Sequence, residues 1–134
     1  MKRFLILILT CFTALSTLSA REVYILNNSW RFFFKDENSS DNARFVTIPH
    51  TWNSDALTEN GELRQTTANY RRKLFVPAEW QGKRLFLRFG GVMNVADVFV
   101  NGSYAGGHKG GRTAFALEIT DKLFLARRTP CLLR

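Results

Sequence analysis

Short runs of alternating apolar and polar residues recur along this chain, which is the pattern of half-buried β-strands. The clearest run extends from Val95 to Val100, and its even-numbered residues form one apolar face. Asn101-Gly102 follows directly, and this dipeptide is a strong short-range signal for a tight β-hairpin. We therefore predict a hairpin here, with a second short strand and then a glycine-rich loop around His108.

Six further segments carry strand patterns: residues 22–26, 30–34, 45–48, 70–76, 83–89 and 112–119. Polar stretches at residues 35–42 and 51–67 predict surface loops, and residues 78–82 predict a turn or a single helical turn. No segment after residue 20 shows a helical period. Short strands at close spacing predict an all-β fold, an antiparallel sandwich or jelly roll. The length of 134 residues suits a single domain.

The first 20 residues have the layout of a secretory signal peptide. Lys2 and Arg3 precede an apolar run at residues 4–18, and small residues up to Ala20 end it. The run is shorter than the roughly 20 apolar residues that span a bilayer, so a membrane anchor is the weaker alternative. A lipoprotein cut before Cys11 is also weaker, because the apolar core would be unusually short. We expect cleavage after Ala20, no membrane span afterwards, and export to the periplasm or beyond in a Gram-negative bacterium.

Charge and cysteine content exclude some functions. The net charge is +8, but the basic residues are scattered along predicted strands, as on a solvated sheet face. Together with export, this argues against nucleic acid as a partner. Cys131 is single once Cys11 leaves with the signal peptide, so neither a disulfide nor a thiolate metal site is expected. His108 has no metal-ligand neighbours at suitable spacing, and we predict no metal or other cofactor.

The C-terminal segment does not continue the strand pattern. Residues 124–134 read FLARRTPCLLR, with no polar turn and no alternating strand. We therefore divide the chain into residues 1–20 as signal peptide, 21–123 as the domain, and 124–134 as an atypical basic tail. A sandwich that stops there is incomplete and keeps an open edge. A truncated or frameshifted gene product is our hypothesis for the tail.

Several motifs in fixed order resemble the N-terminal sugar-binding domain of glycoside hydrolase family 2, the β-galactosidase and β-glucuronidase family. The motifs are IPHTWN at residues 48–53, YRR at 70–72, FGGV at 89–92, ADVFVNG at 96–102 and GHKGG at 107–111 with Thr113 and Phe115. The resemblance implies a galactose-binding-like jelly roll. In such enzymes it precedes an immunoglobulin-like domain and a catalytic barrel with two glutamates, one of which follows an Asn. This chain has no Asn-Glu pair and no room for a barrel.

The resemblance also marks the candidate site residues. Some family members carry an Asn directly after the G-V turn, where it reaches the sugar. Met93 occupies that position here, so Asn94 is the candidate sugar contact. Arg112 stands where the family often has Tyr. Eight other residues are predicted to shape loops rather than to react: His50, Trp52, Asn101, Gly102, His108, Gly110, Gly111 and Thr113.

These observations favour an accessory domain of an exported β-galactosidase-like hydrolase, inactive alone. Its expected partners are a β-galactoside-type carbohydrate and the catalytic barrel of a parent enzyme. Two alternatives stay open. One is a free-standing carbohydrate-binding module, which an exposed Trp52 or Trp80 would favour. The other is a nonfunctional fragment whose unfinished sheet does not fold.

Overall fold

The computed structural model of the chain describes residues 21–35, 43–51, 66–124 and 128–134. The predicted signal peptide and most of the long polar loop lie outside these ranges. Within them the chain forms eight strands: β1 (Trp30–Phe34), β2 (Arg44–Val46), β3 (Ala68–Phe75), β4 (Phe86–Phe89), β5 (Val95–Val100), β6 (Ser103–Lys109), β7 (Phe115–Glu118) and β8 (Arg128–Leu133). Two single 3₁₀ turns lie at Ala78–Trp80 and Thr120–Lys122.

The strands form two antiparallel sheets. The larger sheet has the order β2-β1-β3-β8-β5-β6, and the smaller sheet pairs β4 with β7. The core lies between them and draws on both, with Val98, Val100 and Leu133 from the large sheet and Leu87 from the small one. This arrangement confirms the predicted all-β antiparallel jelly roll.

Most of the predicted strands are present. β1 and β5 have the predicted bounds, and the strands predicted at 45–48, 70–76, 83–89 and 112–119 are present with shifted ends. The turn predicted at 78–82 contains the first 3₁₀ turn. The strand predicted at 22–26 is wrong. Val23 and Ile25 are 75% and 79% exposed, so this apolar run lacks the burial that stabilises a strand.

The prediction that the tail adds no final strand is also wrong. β8 lies between β3 and β5, the central place in the large sheet. Cys131 and Leu133 point into the core, and Thr129 is fully buried on the same face. The alternation was hidden because Thr and Cys are weak apolar markers. Pro130 added to this, because proline normally argues against a central strand.

Pro130 is accommodated through its carbonyl group. It lies opposite Lys73 of β3, and its oxygen accepts a hydrogen bond from the backbone N–H of Asn101 at 2.9 Å. The proline ring therefore interrupts the pattern without separating β8 from its neighbours.

No helix in the described ranges is long and apolar enough to cross a membrane.

The burial of Cys131 can be tested by measuring the unfolding free energy as a function of pH. Burial raises the pKa of this thiol to about 11, from an ordinary value of 9.0. Between about pH 9 and 11 the unfolded chain loses this proton while the folded chain keeps it, so the thiol's contribution to stability is lost as pH rises. We expect the unfolding free energy to fall by up to about 2 kcal/mol more in this window for the natural chain than for Cys131→Val.

Urea denaturation at a series of pH values measures this difference. Lysines, tyrosines and Cys11 titrate in both proteins, so the comparison isolates Cys131. Parallel stability curves for the two proteins between pH 9 and 11 would contradict the burial of this side chain.

Candidate functional site

Two loops meet at one end of the sandwich and carry the candidate sugar contact. The first, residues 90–94, joins β4 to β5, and the second, residues 110–114, joins β6 to β7. The N–H of Gly110 donates to the carbonyl of Asn94 at 2.7 Å. A Cβ at Gly111 would lie 2.9 Å from Sδ of Met93 and 3.3 Å from its Cα, so a side chain there would displace Met93. The contact fixes the backbone of the first loop against the second.

The Asn94 side chain is exposed, as is its neighbour Met93, which has 66% of its surface exposed. An amide can both donate and accept hydrogen bonds, which suits sugar hydroxyls. The Met93–Asn94 peptide bond is cis. The structure therefore presents Asn94 on the surface of a fixed loop, and its role as a sugar contact stays a prediction.

His108 lies in β6 and not in a loop, which corrects the sequence-based expectation. The strand continues to Lys109, and the glycine-rich loop begins only at Gly110. Nε2 of His108 and Oγ1 of Thr113 are hydrogen-bonded at 2.8 Å. The imidazole also stacks on Phe115 with ring centroids 4.5 Å apart and an interplanar angle of 13°. This geometry is that of a brace, with one contact to the loop and one to the small sheet.

The brace extends into a stack of three rings. Phe115 stacks in turn on Phe89 of β4, with centroids 4.8 Å apart. The stack thus joins β6 of the large sheet to both strands of the small sheet. Aromatic contacts of this kind add about 0.5–1.5 kcal/mol beyond the burial of their area.

The hairpin after β5 has the predicted turn. Asn101 and Gly102 have φ values of 52° and 79°, the left-handed conformation that Asn-Gly turns adopt. Nδ2 of Asn101 donates to the carbonyl of Lys122 at 2.6 Å. Asn101 therefore shapes the turn and also ties it to the 3₁₀ turn that precedes β8.

His50 follows β2, at the opposite edge of the large sheet from His108 in β6. Its Nδ1 is 2.9 Å from the hydroxyl of Tyr70, and its ring is 4.9 Å from that of Phe32. These contacts hold the segment after β2 against β1 and β3. Trp52 lies outside the described residues. Trp80, the other tryptophan that bears on sugar binding, is half-buried, and its ring contacts that of Tyr24 at a tilt of 50° with centroids 4.8 Å apart.

The described residues contain no group of three or more His, Cys, Asp or Glu side chains that could hold a metal ion. The best-defined ion pair joins Arg84 to Glu118 at the end of the small sheet, with contacts of 3.0 and 2.7 Å. The hydrogen-bonded guanidinium lowers the pKa of the Glu118 carboxyl. This carboxylate is thus held ionised by its partner and is poorly suited to deliver a proton.

A shallow groove lies on the outer face of β5 and β6, and the sequence did not predict it. Its volume is about 200 Å³, and Asp97, Tyr104, Gly107 and Lys109 contribute to its lining. Simple alternation along β6 would place Tyr104 on the opposite face from Gly107 and Lys109. A β-bulge in this strand pair changes that. Gly106-Gly107 is the sequence signal for it, because glycine inside a strand often marks a bulge.

The comparison with known proteins agrees with the motif order. The family model described as "Glycosyl hydrolases family 2, sugar binding domain" matches residues 23–128. A β-glucuronidase of Bacteroides fragilis is 42% identical over 122 residues, which covers 90% of this chain and 17% of the relative. A β-galactosidase of Thermoanaerobacter pseudethanolicus is 34% identical over 99 residues, which covers 72% of this chain and 12% of the relative.

The solved structures show the same relation. The crystal structure of Bacteroides uniformis β-glucuronidase superposes with a TM-score of 0.73 at 30% identity, over 85% of this chain and 14% of that one. The chain thus spans less than a fifth of the length of these relatives. The similarity covers both loops, the ring stack and the hairpin, and it is confined to one domain of a much longer protein.

The contribution of the His108 imidazole to stability can be tested by mutation. His108→Ala removes both the stacking contact and the hydrogen bond to Thr113, and we expect it to lower the unfolding free energy by about 1–2 kcal/mol. Thr113→Val, the matched control, removes only the hydrogen bond and should cost less. Urea denaturation measures both. A stability of the His108 variant equal to that of the natural chain would show that the imidazole does not brace the sandwich.

Proposed function

Because the chain belongs to glycoside hydrolase family 2 through its sugar-binding domain, we propose that it serves an exported glycosidase of this family as its accessory domain. The observation that carries this proposal is the match over residues 23–128, set against a coverage of only 17% of the β-glucuronidase relative. The β-galactosidase and β-glucuronidase relatives indicate a β-galactoside or a β-glucuronide as the substrate of the whole enzyme.

The catalytic residues of such an enzyme come from outside these 134 residues. Retaining glycoside hydrolysis needs two carboxyl groups about 5–5.5 Å apart, one on each side of the scissile bond. A (β/α)₈ barrel that carries them takes roughly 250 residues. The barrel is therefore the domain's proposed partner, and the chain by itself should not cleave a glycosidic bond.

The contribution of this domain is to position one loop. The 90–94 loop is held by the Gly110 N–H and by the close contact of Gly111 with Met93. A loop whose backbone is already ordered loses less conformational entropy when it binds a ligand. Asn94 then offers a hydrogen-bonding amide at the rim of the active site, where it adds to sugar affinity without taking part in bond cleavage.

Export is part of the same proposal. It is supported by the layout of residues 1–20, with two basic residues, an apolar run and small residues at the end.

A domain exchange tests the proposal. Residues 21–134 replace the matching domain of the Bacteroides fragilis β-glucuronidase, and hydrolysis of nitrophenyl β-glucuronide and nitrophenyl β-galactoside is measured. We expect an active enzyme in which Asn94→Ala lowers kcat/KM by about tenfold, the effect of losing one hydrogen bond of roughly 1.4 kcal/mol to the sugar. Phe45→Ala, which truncates an exposed residue of β2 at the far edge of the large sheet, is the control.

Three results would count against the proposal. A folded but inactive chimaera would refute the accessory role, and equal kinetics for the Asn94 and Phe45 variants would refute the sugar contact. The third is hydrolysis by the full chain alone that is lost when one of its own carboxylates is mutated.

A further inference from the structure

The groove on β5 and β6 is built by a local irregularity in an otherwise regular strand pair. Val98 lies opposite Gly106, but Phe99 lies opposite Tyr104, so Ala105 is an extra residue on β6. This bulge turns Tyr104 onto the outer face of the sheet, where its ring meets Phe99 edge to face at 5.5 Å. Tyr104 is thereby placed beside Asp97, with its hydroxyl 3.4 Å from the carboxylate oxygen.

Two glycines permit this arrangement. A Cβ at Gly107 would lie 2.7 Å from the Tyr104 hydroxyl and 2.8 Å from the Asp97 carboxylate, so a side chain there would fill the groove. Gly106 at the bulge has a φ of 145°, and a Cβ there would lie 2.7 Å from Cδ2 of Leu117. The bulge and the open floor of the groove therefore both depend on the absence of side chains at these positions.

The chemistry of the groove suits a sugar ring. Tyr104 keeps 56% of its surface exposed, which offers a flat apolar face and a hydroxyl. Asp97 is half-buried beside it and can accept hydrogen bonds from two neighbouring sugar hydroxyls. Lys109 stands opposite Val95 at the end of the groove and can donate. Val95 directly follows Asn94, so the groove begins at the loop that carries the candidate sugar contact.

We propose that the groove formed by Asp97, Tyr104 and Gly107 binds one neutral pyranose unit of a glycan. The ligand class rests on the proposed function, whereas the location rests on the geometry of β5 and β6. A neutral ring is favoured over a uronate because the Asp97 carboxylate would face the sugar's own carboxylate at short range. Two like charges about 4 Å apart repel by about 1 kcal/mol in water and by more where water is partly excluded. Lys109 pairs with Val95, two positions along the strand from Asp97, so it offsets this repulsion only in part.

An NMR titration of the full chain tests the proposal. The probes are methyl β-D-galactopyranoside and the methyl glycoside of β-D-glucuronic acid. We expect the galactoside to shift the backbone amides of residues 95–97, 104 and 107–109 with a dissociation constant on the order of millimolar. The glucuronide should bind at least about tenfold more weakly.

Variants assign the effect to the groove. Tyr104→Ala should weaken galactoside binding at least about tenfold, and Asp97→Asn should weaken it and reduce the preference over the glucuronide. Phe75→Ala is the matched control, because Phe75 is an exposed aromatic residue on the same face of the large sheet. If Tyr104→Ala loses its dispersed spectrum, Asp97→Asn carries the test.

The proposal is overturned if the galactoside produces no saturable shifts in these amides, if the glucuronide binds as well, or if the Asp97 and Phe75 variants behave alike. These outcomes are separate from those of the domain exchange. An active chimaera that depends on Asn94 would leave the proposed function intact even if the groove bound no sugar.

Discussion

The insertion of β8 between β3 and β5 is the constraint on which the rest of the structure depends. Without this strand, the β2-β1-β3 and β5-β6 groups share no backbone pairing within the described residues. β8 pairs with six residues of β3 and with three of β5, and it adds Cys131 and Leu133 to the core. β5 follows the Asn94 loop directly and forms one side of the groove. The positions of the loop and of the groove therefore depend on the pairing of β5 with β8.

The second constraint is the contact between the two sheets at the end that carries the loops. The stack of His108, Phe115 and Phe89 fixes the end of β6 over the small sheet. The close approach of Gly111 to Met93 then fixes one loop against the other. The loop is thus positioned mainly by backbone contacts and ring stacking, which leaves the Asn94 side chain free to face a ligand.

Much of the fold was predictable because its strands follow simple alternation. β1 and β5 were located to the residue, and the Asn101-Gly102 turn followed from the left-handed conformation that these residues tolerate. β8 was missed because its inward positions are Thr129 and Cys131 as well as Leu133, with a proline between them. The opposite error occurred at residues 22–26, where an apolar run reads as a strand but is exposed. The apolar pattern alone does not show which segments pair with a neighbouring strand.

The candidate site was predictable only in part. The order of motifs identified Asn94, His108 and the glycine loop, because these lie close together in sequence. The groove was not predictable, since it depends on a bulge that moves Tyr104 by one position relative to Asp97. A one-residue shift in pairing reverses the face of a side chain, and the residue that is left unpaired, Ala105, has no distinctive chemistry. Gly106-Gly107 indicates a bulge in this region but does not show which residue is left unpaired, so the groove becomes visible only when the register is known.

Native-state hydrogen exchange on the full chain tests the central place of β8 most directly. Amides buried in the middle of a sheet open only with global unfolding, whereas those at edges and tails open locally. If β8 lies between β3 and β5, the amides of Leu132 and Leu133 exchange as slowly as those of Val98 and Val100. Rapid exchange at Leu132 and Leu133, with protection retained in β5, would show that the last strand is not part of the folded sheet.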